Sequence, residues 1–175
     1  MRRHPEYPLE RTCWHLYDPF QLTFARHALQ MLPECEDGSA EATHKGLVLR
    51  GETETALEKS LALLKDYYGD QIRAGSPSIR YHHSPEVEEP HMGVRVLCPA
   101  TYFAAVKADL LARDAVVLDE ELTSQYGVVR ANAPLAKLIG YSRALAQLTA
   151  GSAREVMWLS HYAPVDVPPP DGEAA

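Results

Sequence analysis

GVRVLC (93–98), PATYFAAVKADLLAR (99–113), AVVLDEELT (115–123) and QYGVVRANA (125–133) follow one another in the second half of the chain. GVRVLC reads as a strand. Pro99 then opens a helix that runs to about Arg113, with Tyr102, Val106, Leu110 and Leu111 expected on its inward face. Two strands follow, Ala115–Thr123 and Gln125–Ala133. Pro134 opens a second helix to about Thr149, Gly151 ends it in a left-handed conformation, and Ala153–Ser160 closes the set as a strand. The order is β-α-β-β-α-β, the split βαβ or ferredoxin-like arrangement.

The first half repeats that order. Glu10–Tyr17 reads as a strand. Asp18-Pro19 reads as an N-cap with proline in the first helical position. The helix it starts runs to about Leu32, with Phe20, Phe24, Leu29 and Leu32 as its apolar positions, and Pro33 stops it. Glu36-Asp37-Gly38 turns the chain into a hairpin of Ala40–His44 and Gly46–Arg50. A second helix begins at about Thr53. Leu57, Leu61, Leu64 and Tyr68 recur on one helical face, and Gly69 closes the helix. A last strand over Gln71–Tyr81 is interrupted by Gly75 and Pro77. The fold class expected is therefore α+β: two ferredoxin-like βαββαβ domains, over 9–84 and 91–165, each an antiparallel sheet with helices on one face. SPEVEEP (84–90), with two prolines and three acids, reads as the linker, with 85–90 as its core. Residues 166–175 have the composition of a disordered tail.

Composition narrows the function classes. The chain has 175 residues and a net charge of −7. Ten Lys/Arg against fifteen Asp/Glu give −5 over 1–90; seven against six give +1 over 91–164; three acids give −3 over 165–175. Neither half is strongly basic, which argues against tight nonspecific phosphate binding but leaves room for a local patch. Three cysteines with no CxxC pair suit reduced thiols better than a disulfide framework or a zinc site. His82-His83 with His91 match no ligand spacing, so no metal is expected. No signal peptide or membrane-length apolar run is visible, and the cytoplasm is the expected compartment. No nucleophile–base spacing can be defended from sequence, so no catalytic residue and no cofactor is assigned.

PLAKLIGYSRALAQLTAGSA followed by HYAPV carries a family pattern. Pro134, Leu135, Ala136, Gly140, Tyr141, Leu145, Thr149, Gly151, His161 and Tyr162 are the positions concerned. The stretch closely resembles the last domain of elongation factor G, and the resemblance extends upstream through GVRVLCPATYFAAVKADLLARDAVV. The first half resembles that family's third domain. There KDYYGDQIRAGSPSIRYH (65–82) parallels the domain's end, and TETALE (53–58) stands at its usual Gly-Glu-Leu-His-Leu-Glu helix start, keeping Glu54, Leu57 and Glu58. The sequence contains no G-x-x-x-x-G-K-[ST] loop, so no nucleotide is expected as a ligand. It also has no room for the family's fourth domain.

The resemblance implies a non-enzymatic, translation-factor-like binding module without GTPase activity, with the ribosomal large subunit or a translation factor as its partner. Contact with ribosomal RNA would need arginine and lysine against phosphate. Arg113, Asp114 and Ala115 stand where the family has Arg-Arg-Gly, and Ala146 and Ser152 stand at two further arginine positions. The candidate RNA- or partner-binding residues that remain are Lys107, Arg113, Arg130, Arg143 and Arg154. The alternative is a scaffold or oligomerisation protein that no longer binds the ribosome and pairs with itself as a homodimer, with Tyr67 and Tyr68 on its surface.

Overall fold

The computed structural model describes residues 7–83 and 85–165. The expected tail, 166–175, lies outside the described residues. The first sheet is built from β1 (Leu9–His15), β2 (Gly38–Thr43), β3 (Gly46–Gly51), β4 (Ile72–Ala74) and the short β5 (Ser78–Ile79). Its strand order is β2-β3-β1-β4, with β5 also on β1, and all these pairs are antiparallel. Helices α1 (Gln21–Met31) and α2 (Glu54–Tyr68) cover one face. The second sheet contains β6 (His82–His83), β7 (Val87–Pro99), β8 (Val116–Leu122), β9 (Tyr126–Pro134) and β10 (Arg154–Pro164), with α3 (Phe103–Ala112), α4 (Leu135–Leu138) and α5 (Tyr141–Leu148). Its order is β10-β7-β9-β8, again antiparallel, with β6 on β7. The two sheets share the ferredoxin-like α+β arrangement, with one βαββαβ unit following the other.

Each core follows from strand alternation meeting helical periodicity. In the first unit Leu9 and Cys13 of β1, Leu47 and Leu49 of β3, and Ile72 pack against Phe24, Ala25 and Ala28 of α1 and Leu57, Leu61 and Leu64 of α2. In the second, Met92, Val94, Val96 and Cys98 of β7 and Val129, Ala131 and Ala133 of β9 meet Val106, Leu110, Leu138, Tyr141 and Leu145. Among the described residues, the opposite face of each sheet carries no helix of its own unit.

Several expectations need correction. Asp18 does not cap α1: its Oδ1 accepts from Phe20 N at 2.7 Å, closing a local turn, and the helix starts at Gln21. Phe20 and Leu29 are therefore exposed, and small residues fill much of the buried stripe. Leu111 is exposed as well, while Leu110 is buried. Residues 87–90, expected within the linker, belong to β7 and pair with β10 at Pro90↔Tyr162. Pro90 is tolerated there because β9 stops pairing at His91, so β7 loses little by the missing N–H. Pro99 leads into a 3₁₀ turn, Ala100–Tyr102, before α3. The helix expected from Pro134 to Thr149 is two helices, broken at Gly140, whose φ is +74°.

Candidate interaction surface

The five sequence candidates do not converge. Lys107 and Arg113 lie on the helix side of the second sheet and are already neutralised. Lys107 Nζ sits 2.6 Å from Glu120 Oε2. Arg113 Nε is 3.0 Å from Asp109 Oδ2, its Nη1 donates to the Lys137 carbonyl at 3.0 Å, and its guanidinium lies 5.1 Å from the Tyr141 ring centre. Arg113 thus ties α3 to α4 and α5, a structural use of the side chain. Arg143 lies on α5. Arg130 on β9 and Arg154 on β10 point away from the helices, onto the open face of the sheet.

Strand register brings a third arginine to that face. Arg95 on β7 is the direct partner of Arg130, and Val156 and Asp119 complete the row on either side. The next row runs Arg154, Leu97, Val128, Glu121. Two shallow hollows occupy these rows and share Arg95, Glu121 and Val128 in their walls. Among the described residues, no ion pair within 4.0 Å engages Arg95, Arg130 or Arg154. Glu121 instead accepts from Tyr126 Oη at 3.3 Å. Sequence reading missed Arg95, although the alternation of Val94, Val96 and Cys98 places it opposite the core. It also missed Trp158, which lies across Gly93: a Cβ on Gly93 would stand 2.3 Å from Trp158 Cε2.

On the helix side of this sheet, Tyr141 and Glu155 lie near each other. Burial, with Glu155 and Asp109 nearby, pushes the Tyr141 phenol well above its ordinary range, against the lowering pull of Arg113. Burial also raises the Glu155 carboxyl, partly offset by Ser142. Tyr141 Oη and Glu155 Oε2 have no hydrogen-bond partner among the described residues. The ring's packing, with Arg113 over it, is therefore what fixes Tyr141. Thr149 is better satisfied: its Oγ1 donates to Leu145 O at 2.7 Å and accepts from Ala153 N at 3.3 Å, joining α5 to the start of β10.

Two acids of the β3–α2 junction make hydrogen bonds from the first unit to the second. Glu54 Oε2 accepts from Gly140 N at 2.7 Å, and Glu52 Oε1 accepts from Leu159 N at 2.7 Å. Thr53 caps α2 between them, accepting from Ala56 N. Glu54 and Gly140 come from the two family-like motifs read in the sequence, 86 residues apart.

Among the described residues, no group of three or more His, Cys, Asp or Glu side chains could hold a metal ion, and no helix is long and apolar enough to cross a membrane. Residues 86–172 match the family described as the elongation factor G C-terminus. Elongation factor G of Ureaplasma parvum serovar 3 and that of Ureaplasma urealyticum serovar 10 are each 26% identical over 144 residues, covering 77% of this chain. The chain spans 20% of the length of these relatives. A crystal structure of a Thermus thermophilus protein superposes with a TM-score of 0.63 at 17% identity, over 97% of this chain and 42% of that one, which is a likeness of fold. In sequence, then, this chain resembles elongation factor G, with residues 86–172 matching the family formed by that factor's C-terminus.

Proposed function

We propose that this chain is a non-enzymatic binding module of translation, docking on the ribosomal large subunit or on a translation factor without hydrolysing GTP. The match of residues 86–172 to the elongation factor G C-terminus carries the reading. In this reading residues 9–84 correspond to that factor's third domain and residues 91–165 to its last. The ferredoxin-like arrangement of both units supports the assignment, and so does the Glu54–Gly140 contact between the two motifs. Of the five sequence candidates, those available to a partner are Arg130, Arg143 and Arg154, since Lys107 and Arg113 already face carboxylates. Cytoplasmic residence follows from this role.

Co-sedimentation of the purified chain with isolated large subunits tests the reading, with GTP binding measured alongside. The expected result is a chain that pellets with subunits at low salt and does not bind GTP. A chain that stays in the supernatant with both subunits and translation factors present would overturn it.

Self-association is a second reading, favoured by one observation. Tyr17, Phe20 and Tyr67 are exposed on the first unit, and rings run in contact from Tyr17 through His15, Phe24, Tyr68 and His27 to Tyr67. A sedimentation coefficient that rises with concentration, and no longer does so in Tyr67→Ala, would support it.

A further inference from the structure

We infer that the open face of the second sheet is a binding site for single-stranded RNA, with Arg95, Arg130 and Arg154 holding phosphates and Trp158 offering a stacking surface to a base. The inference deepens the translation reading and rests on it for the choice of RNA. Like charges placed directly across an antiparallel pair are destabilising, yet Arg95 and Arg130 are direct partners in the β7–β9 register. The sheet could have neutralised them with the two acids at its edge. Glu121 engages Tyr126, and Asp119, although it is the direct partner of Arg130 in the β8–β9 register, makes no ion pair within 4.0 Å with either arginine among the described residues, leaving three arginines against two acids on these rows. An anion between or above the two guanidiniums relieves their repulsion, and a phosphodiester supplies one with the geometry that arginine forks fit. Arg154 stands one row further along, beside Leu97, so a backbone running diagonally over the face meets three cations in succession.

Trp158 decides between nucleic acid and an acidic peptide. Its indole fills the space above Gly93 and is held against the sheet, yet remains 39% exposed. The next row of the same face contains Arg95 and Val156, two residues along each strand and about 7 Å away. An aromatic surface beside phosphate-binding cations is the combination that single strands use, because an unpaired base has a free π-face and a duplex does not. An acidic peptide would engage the arginines and leave the indole unused. Gly93 is required for this arrangement, since any side chain there displaces the ring.

The test uses the whole chain in a Trp14→Phe background, so that Trp158 is its remaining tryptophan. The probes are a mixed-sequence 12-nucleotide RNA, the same RNA annealed to its complement, and poly-glutamate of matched length. Single-stranded RNA is expected to quench Trp158 fluorescence on binding. The salt slope should be about −2 for three phosphates, at ~0.7 per contact on a single strand. Arg95→Gln/Arg130→Gln should weaken binding at least about tenfold and flatten the slope by about 1.4, while circular dichroism stays unchanged because both side chains are exposed. Trp158→Phe, which leaves no tryptophan and is therefore followed by the anisotropy of end-labelled RNA, should weaken binding and leave the slope unaltered. Equal binding of the duplex without quenching, preference for poly-glutamate, or no RNA binding at about 50 mM salt would each overturn the inference. Large-subunit sedimentation separates the two levels. A chain that pellets with subunits but ignores the RNA refutes the face and leaves the translation role. A chain that binds the RNA but not subunits keeps the face and refutes the role.

Discussion

Tyr141 is fully buried, and its hydroxyl has no hydrogen-bond partner among the described residues. Its ring, by contrast, packs in the core with Arg113 over it. Tyr141→Phe keeps the ring and removes the orphaned hydroxyl, so it should leave stability unchanged or raise it by up to about 1 kcal/mol. A denaturant titration showing a loss of more than about 1 kcal/mol would mean that the hydroxyl is bonded after all. Glu155 gives a pH signature. Its folded pKa lies above the ordinary 4.5, so its contribution is fully present below that value and is lost as pH rises through the raised one. Glu155→Gln should therefore melt higher than the parent at pH 7, with the difference vanishing near pH 4, as thermal scans at the two pH values would show. A difference that instead grew on acidification would contradict the burial argument. Little of this was legible beforehand: a Gly-Tyr pair in a helical pattern indicates packing, but which polar atoms lack partners depends on the sheet beneath. The candidate cations were read by residue type, and type does not reveal that Glu120 or Asp109 lies across the gap.

At the scale of elements, period-2 and period-3.6 patterns made both βαββαβ units readable, because each helix and most strands bury one face. The errors fall where a local signal competed with a tertiary one. Asp18-Pro19 has the chemistry of a helix start, but Asp18 commits its carboxylate to Phe20 N. VEEP looks like a linker by composition, yet extends β7 because β10 is long enough to pair with it. Gly140 sits inside a periodic stretch, and its break is set by a positive φ that periodicity cannot report. Gly93 is a tightly constrained position in β7. Gly93→Ala would place a Cβ within 2.5 Å of three Trp158 ring atoms and force the indole off the strand. Overpacking of this kind costs about 1–3 kcal/mol, and Trp158 emission should shift red as the ring enters water. An unshifted spectrum with unchanged stability would show that the ring does not rest there.

For the whole molecule, the expected two-domain division becomes a question of how firmly two similar sheets are held. Glu52 and Glu54 reach from the β3–α2 junction to Leu159, where the β10 register shifts, and to Gly140, where the helix breaks. Both carboxylates accept from backbone N–H groups at those irregularities. Charge-assisted bonds of this kind contribute about 1.5–3 kcal/mol when shielded and less when exposed. Glu52→Gln/Glu54→Gln should lower stability by about 1–2 kcal/mol. It should also speed amide exchange at Gly140 and Leu159, with the core strands of each sheet unaffected. Unchanged exchange at those two amides would mean that the units are joined by other contacts. Sequence could suggest that TETALE and the Gly140-Tyr141 motif belong to one family, but only the fold shows that they meet.

On the proposed function, the resemblance to elongation factor G carries a binding role in translation. Its most direct test is sedimentation of the chain with large ribosomal subunits over a salt series, with and without excess elongation factor G. The pelleted fraction should fall steeply from about 50 to 200 mM salt and be displaced by the intact factor. A chain that never enters the pellet, even at the lowest salt, would contradict that role.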